Sequence, residues 1–331
     1  MRRILSASLA LLLPTIACAL RTLKAAVIMP GFLNDEAEFK PLAAALTARG
    51  IPTAVVPMKT IQWLPQVGGR SVRPMLERID HAVRHVAALG DAAEATTQKM
   101  LSVPPIDYSL ADIWTDFRTN PGGPFAVGGS QNPDEFPDVT PRGTFEPARE
   151  PQGRVALIGH SAAGWMARIY LSTRAYGGKA YAGADLVHSL VTLGTPHIQG
   201  VGVPFVSVGW ANREPVPLDV RCLAVGGRGL KGDRSGELTE KSYDFCTPEG
   251  TGGALLDGDG TTTIESAIGL PGVETLVLDD CTHLPWSDVP FGGVVAPELA
   301  KAHREGLPWY GDEQMLDQWV PWLLEACARD E

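Results

Sequence analysis

Cysteine is scarce in this 331-residue chain, basic clusters are missing, and no Asn-x-Ser/Thr acceptor occurs anywhere in it. The five cysteines, Cys18, Cys222, Cys246, Cys281 and Cys327, show no C-x-x-C spacing, so zinc-ribbon and dithiol redox readings have no support. Lys+Arg 28 against Asp+Glu 38 gives a formal net charge of −10. Without a local run of Lys or Arg, that balance excludes the electrostatic attraction on which nucleic-acid binding rests. No internal repeat is present. What the chain does have is 44% hydrophobic residues, enough for one large core, which excludes a disordered or fibrous protein. Its 36 glycines and 27 prolines predict long loops.

The N-terminus carries an address. Arg2 and Arg3 precede an apolar run from Ile4 to Leu20 that ends in Ala17-Cys18-Ala19. A basic start, a short apolar stretch and small residues at alternate positions read as a signal peptide over residues 1–19, cleaved after Ala19, which sends the chain into the secretory pathway as a secreted or endomembrane protein. Pro14 argues against a core helix there. A strand beginning by about Lys24 leaves no linker for a membrane anchor. Ser6, Ser8 and Thr15 with no acidic residue keep plastid targeting as the alternative. Cleavage would remove two arginines, and the four remaining cysteines would permit disulfides without specifying any.

Beyond the leader the pattern alternates. Ala25–Met29 is a short apolar run of the kind buried on both faces of a sheet. Asp35 with Glu38 forms a capping box before Phe39, Leu42, Ala43 and Leu46 at helical spacing, closed by Gly50. A strand over Thr53–Val56 and a helix carrying Met75, Ile79, Ala82, Val83 and Val86 follow, ended by Gly90. This rhythm predicts an α/β fold with a mostly parallel sheet and helices on both faces. It fails between Asp91 and Gln152, where nine prolines fall between Pro104 and Pro151. That stretch is predicted as a long, partly disordered surface insertion, with Ile106, Tyr108, Leu110, Ile113, Trp114 and Phe117 as a small docked element. Order resumes with a strand at Val155–Ile158, a helix through Tyr170 to about Gly177-Gly178, and strands at Leu186–Leu193, Val220–Val225 and Val273–Leu278. A last helix presents Leu316, Trp319, Val320, Leu323, Leu324 and Cys327, with a kink at Pro321. Setting aside residues 1–19 and 91–152 leaves about 250 residues, the size of one domain spanning 20–331.

Gly159-His160-Ser161-Ala162-Ala163-Gly164 runs from a strand into a helix. A serine at such a turn is lifted above the sheet edge by strained backbone, and small neighbours let strand and helix approach. Ser161 is therefore the candidate nucleophile. Ala163 stands where the usual pattern has a second glycine, with Gly164 next. The base must follow the serine in the chain. His283 sits in the loop after a late strand and is preferred. His197, after an earlier strand, and His160, beside the nucleophile, are read as lining or flooring the substrate pocket, and His303 as solvated. For the acid, the turn Leu256–Thr261 offers Asp257 and Asp259, while Asp279 and Asp280 lie too close in sequence to His283. A calcium loop is excluded there by missing ligand positions. The backbone N–H groups of Ala162 and Phe32 are the candidate oxyanion hole.

Residues Ala156–Tyr170 and Leu193-Gly-Thr-Pro-His197 resemble the lipase-like α/β-hydrolases of plants and algae, often grouped with inositol-deacylase-like hydrolases. The likeness extends to Pro30-Gly31-Phe32, Trp63-Leu64, Gly258-Asp259-Gly260 and Trp309-Tyr310-Gly311. It implies an α/β-hydrolase fold and selects Asp259 over Asp257 as the triad acid. Many members look plastid-targeted.

The implied chemistry is acyl transfer to water on a small-molecule or lipid ester, through an acyl-enzyme, with no metal or organic cofactor required. Residues Ile198–Val216, with Val203, Phe205, Val206, Val208 and Trp210, would form a lid or acyl-binding wall, or else an ordinary loop helix. Lipid-like substrates allow peripheral membrane contact. The alternatives are a catalytically silent hydrolase fold used as a binding or scaffold protein, and an acyltransferase using the same triad.

Overall fold

The computed structural model describes residues 20–120, 132–202, 205–285 and 297–328. The expected leader at residues 1–19, part of the expected insertion (121–131) and Val203 lie outside them. In chain order the elements are β1 (Thr22–Met29), α1 (Glu36–Ala48), β2 (Thr53–Val55), α2 (Arg73–Leu89), α3 (Asp91–Glu94), α4 (Leu110–Thr119), β3 (Arg154–His160), α5 (Ala162–Leu171) and β4 (Val187–Leu193). They continue with α6 (Val206–Ala211), β5 (Arg221–Arg228), β6 (Leu230–Lys231), α7 (Gly232–Ser235), α8 (Glu237–Phe245), β7 (Asp257–Gly258), α9 (Ile264–Ala267), β8 (Glu274–Asp279), α10 (Pro297–Arg304) and α11 (Glu313–Cys327).

Six strands form one parallel sheet in the order β2-β1-β3-β4-β5-β8, while β6 and β7 pair antiparallel outside it. Strand alternation divides the apolar residues between two cores. Leu23, Ala25, Val27 and Met29 of β1 join Val155 and Leu157 of β3 against α2 and α5. Ala26, Ile28, Ala156 and Ile158 point the other way, against Phe39 and Leu42 of α1 and Leu316, Trp319 and Leu323 of α11. The protein is thus an α/β structure with a parallel central sheet covered by helices on both faces.

The expected capping box closes in the structure: Asp35 Oδ1 accepts from Ala37 N and Glu38 reaches back to Asp35 N. Helix α5 ends at Leu171, earlier than the expected Gly177-Gly178, because the chain turns extended at Ser172. Helix α11 runs as one element through Pro321.

The described parts of the insertion are tied to the body. Helix α4 starts with its own capping box, Ser109 with Asp112. Ile106, Tyr108 and Ile113 form the docked element against Leu64 and Phe145, whereas Leu110 and Trp114 stay exposed. Asn120 Nδ2 donates to the carbonyls of Pro65 and Ser71, stitching the end of α4 to the segment after β2. In the expected lid or acyl-binding wall, α6 buries Val208 and Trp210 in the first core as an ordinary loop helix would, while Phe205 and Ser207 face the cleft beside Ser161. Buried Arg168 of α5 anchors it through Asn212 Oδ1 and Ala211 O.

Trp319 is fully buried and its indole N–H donates to Tyr310 O. Trp319→Ala should lower the free energy of unfolding by about 3–5 kcal/mol in denaturant titration. A loss under about 1 kcal/mol would contradict this packing.

Candidate active site

The expected site residues gather at the edge of the sheet where the parallel strands end, but His160 and His197 do not line the cleft there. Ser161 follows β3, Phe32 follows β1, Gly194 follows β4 and His283 follows β8. The C-terminal edge of a parallel sheet is where loops converge and ligands bind.

Ser161 has φ 53 and ψ −129, a left-handed backbone that non-glycine residues avoid at a cost of about 1–3 kcal/mol. Its backbone is pinned on both sides: Ser161 N donates to Leu193 O, and its carbonyl accepts from Gly164 N and Thr195 Oγ1. The close approach the turn needs falls at Gly159 and Gly164. A Cβ on Gly159 would lie 2.7 Å from Gly164 Cα, and one on Gly164 only 2.0 Å from Thr195 Oγ1. Ala163, where the usual pattern has glycine, is buried against the first core and obstructs nothing. On the other side, a Cβ on Gly31 would sit 2.9 Å from Ser161 Cβ, so the turn after β1 abuts the serine.

His283 and Asp259 form a buried pair, with His283 Nδ1 donating to Asp259 Oδ2 at 2.7 Å. His283 N also donates to Asp259 O, which fixes backbone to backbone. The carboxylate is fully buried and has four donors. Thr261 N and Thr262 N reach Oδ1, while His283 Nδ1 and the Tyr310 hydroxyl reach Oδ2. Asp257, the other candidate in the turn, accepts at Oδ1 from Gly229 N and Gly258 N and serves the turn. Gly194, at φ 58, lets the chain pass under the pair: a Cβ there would be 2.6 Å from Asp259 Oδ2 and 3.0 Å from His283 Nδ1.

Phe32, Ser161 and Ala162 line one cleft of about 370 Å³, together with apolar Trp165, Met166 and Phe245. The two residues expected in the substrate pocket lie elsewhere. His160 is fully buried among Phe39, Trp309 and the His283 ring, with Nε2 bonded to His283 O at 2.8 Å. Burial, and next to it the neighbouring His283, pushes its pKa down to about 3. It is a neutral strut beneath His283. His197 is buried too, with Nε2 against Thr192 Oγ1, and burial followed by nearby Arg168 pushes its pKa well below the usual value. Neither lines the cleft, because both rings are buried in the packed protein. Of the remaining histidines, His188 sits at the opposite, N-terminal end of β4 against Leu23 O, and His303 lies on α10.

The chain matches no protein-family model and no curated protein.

Tyr310 has a part that sequence reasoning did not assign. Its hydroxyl accepts from Gly227 N at 2.7 Å while donating to Asp259, and burial, then Asp259, raises its pKa. The string Trp309-Tyr310-Gly311 was visible, but its contact spans 51 residues to Asp259. Among the described residues, no group of three or more His, Cys, Asp or Glu side chains could hold a metal ion. The four described cysteines are free and buried, and no described helix is long and apolar enough to cross a membrane.

Two outcomes test this geometry. Tyr310→Phe removes a donor from Asp259 and an acceptor from Gly227 N, and should cost about 1–3 kcal/mol of stability in denaturant titration; an unchanged midpoint would count against the network. A buried neutral histidine destabilises the fold in acid, because the unfolded chain takes up a proton below its ordinary pKa of 6.5 while the folded ring resists until about pH 3. Stability of the wild type should therefore fall between those values, and His160→Gln should flatten that fall; parallel pH profiles for the two proteins would refute it.

Proposed function

We propose that this chain is a serine hydrolase of the α/β-hydrolase fold that cleaves carboxylic esters through an acyl-enzyme. The observation that carries the reading is the buried Asp259–His283 pair at 2.7 Å, held at the sheet edge where Ser161 stands on a strained turn. Strain in a non-glycine residue persists only where its surroundings enforce it, and it gathers at functional positions. The strand–Gly-x-Ser–helix context and the chain order Ser161, Asp259, His283 support the same assignment.

In this mechanism Asp259 fixes the tautomer of His283 by accepting from Nδ1, leaving Nε2 as the basic nitrogen. His283 takes the Ser161 proton as Oγ attacks the ester carbonyl. The backbone N–H groups of Ala162 and Phe32 receive the developing oxyanion. His283 then protonates the departing alcohol, and water, activated by the same nitrogen, hydrolyses the acyl-enzyme. The neutral His160 beneath it adds no competing positive charge when His283 becomes imidazolium. The apolar cleft wall of Trp165, Met166 and Phe245 suits an acyl chain or another apolar group.

The test is hydrolysis of a panel of short- and medium-chain p-nitrophenyl esters. Wild type should turn over, Ser161→Ala should not, and Asp259→Asn should lower kcat by about a thousandfold or more. Asp257→Asn, which alters only a turn, should stay within about threefold of wild type. Equal losses at Asp257 and Asp259, or turnover by Ser161→Ala, would overturn the assignment.

A further inference from the structure

The cleft beside Ser161 contains a charge that no counter-ion offsets among the described residues. Among the described residues that line it, Arg70 alone is charged, in a protein of formal net charge −10. Arg70 is 5% exposed. Nη1 donates to Val67 O at 2.7 Å and the guanidinium lies 4.2 Å over the Phe117 ring, but no carboxylate pairs with it among the described residues and Nε has no partner. Most arginines of the described chain are paired, as Arg73 is with Glu77 and Asp138. Four residues before Arg70, on the same wall, Gln66 is also 5% exposed, and neither its amide nitrogen nor its amide oxygen has a partner among the described residues. A buried cation without a counter-ion and a buried amide without a hydrogen bond each cost free energy, and their joint occurrence in one cleft needs an explanation.

We propose that Gln66 and Arg70 form an oxyanion-recognition site, and that the ester accepted by this cleft carries a carboxylate or phosphate group together with an apolar portion. As a statement about substrate it rests on the hydrolase reading above; as a statement about binding it stands on the cleft alone. The guanidinium supplies charge and N–H donors in a planar array, and the Gln66 amide adds a donor to the anion and an acceptor for a neighbouring hydroxyl or N–H. The apolar portion lies along Trp165, Met166 and Phe205. Charge-assisted hydrogen bonds in a site screened from water are the strong ones, so the anion contributes to affinity as well as to selection.

Binding of octanoate, octyl phosphate and octanol to the full chain, followed by calorimetry, separates charge from chain length. Octanoate or octyl phosphate should bind at least about tenfold more tightly than octanol, and the two anionic ligands show which oxyanion fits. Arg70→Met should reduce the advantage to about twofold or less, and Gln66→Leu should cut it at least about threefold while leaving the charge in place. If Arg70→Met fails to fold, Gln66→Leu decides the matter. Equal binding of all three ligands, or an advantage that survives the substitutions, would overturn the proposal. A charge preference in a protein that hydrolyses no ester would sink the hydrolase reading and leave the anion site standing; ester hydrolysis without any charge preference would do the reverse.

Discussion

A carboxylate with no solvent-exposed surface must be met by hydrogen bonds or be driven out of the fold, and Asp259 is met by four. The donors come from three places in the chain: the turn that follows β7, the loop after β8, and the segment before α11. Satisfying that one group therefore fixes how the late elements sit against the sheet. Tyr310 reaches Asp259 with its hydroxyl and receives Trp319 Nε1 at its carbonyl, so the docking of α11 in the second core is mechanically joined to the acid. His283 is held at Nδ1 by Asp259 and at its carbonyl by His160, which is itself wedged under the site by Phe39 and Trp309. The His283 ring has little freedom left to reorient, which is what the proposed role as a preorganised proton acceptor calls for.

The serine side of the site is built by a different means. No side-chain hydrogen bond caps α5; the backbone at Ser161 is forced into φ 53 by contacts on both flanks, with Gly159 and Gly164 packed too closely for any side chain between them. The two cores stabilise the fold that bears this strain, since β3 is buried in both and cannot shift to relieve it. The cleft beside the serine then mixes apolar walls with one region of unmet polarity at Gln66 and Arg70.

Local patterning made much of this legible. The apolar runs of β1 and β3, the Asp35–Glu38 box and the period of α2 are signals within one element, and each strand and helix formed close to its expected place. The strand-to-helix setting of Ser161 was readable for the same reason. What the sequence hid were contacts between distant segments. His160, read as a packing residue at the pocket floor, is indeed packed beneath His283, whereas His197, read as lining the pocket, is buried away from the cleft. Asp257 and Asp259 are alike as residues in a glycine-rich turn, and the choice of Asp259 came from the resemblance alone; the three-dimensional path gives one to backbone N–H groups and the other to His283. Tyr310 stood in a visible string but its contact acts across 51 residues, and Arg70 carried no local mark, being distinguished by a partner it lacks among the described residues. The proline-rich stretch read as loose because Pro and Gly break periodicity, whereas capping at Ser109 and the Asn120 side chain hold its described parts by contacts that periodicity does not register.

The account stands or falls on Ser161, His283 and Asp259 acting as one nucleophilic unit. Its most direct measurement is peptide mass spectrometry after reaction with an alkyl fluorophosphonate, which phosphonylates only a serine activated by its base. A single adduct on the peptide containing Ser161, abolished in His283→Ala, is the predicted result. No adduct on the folded wild type, an adduct on another residue, or labelling of Ser161 that is indifferent to loss of His283 would contradict it.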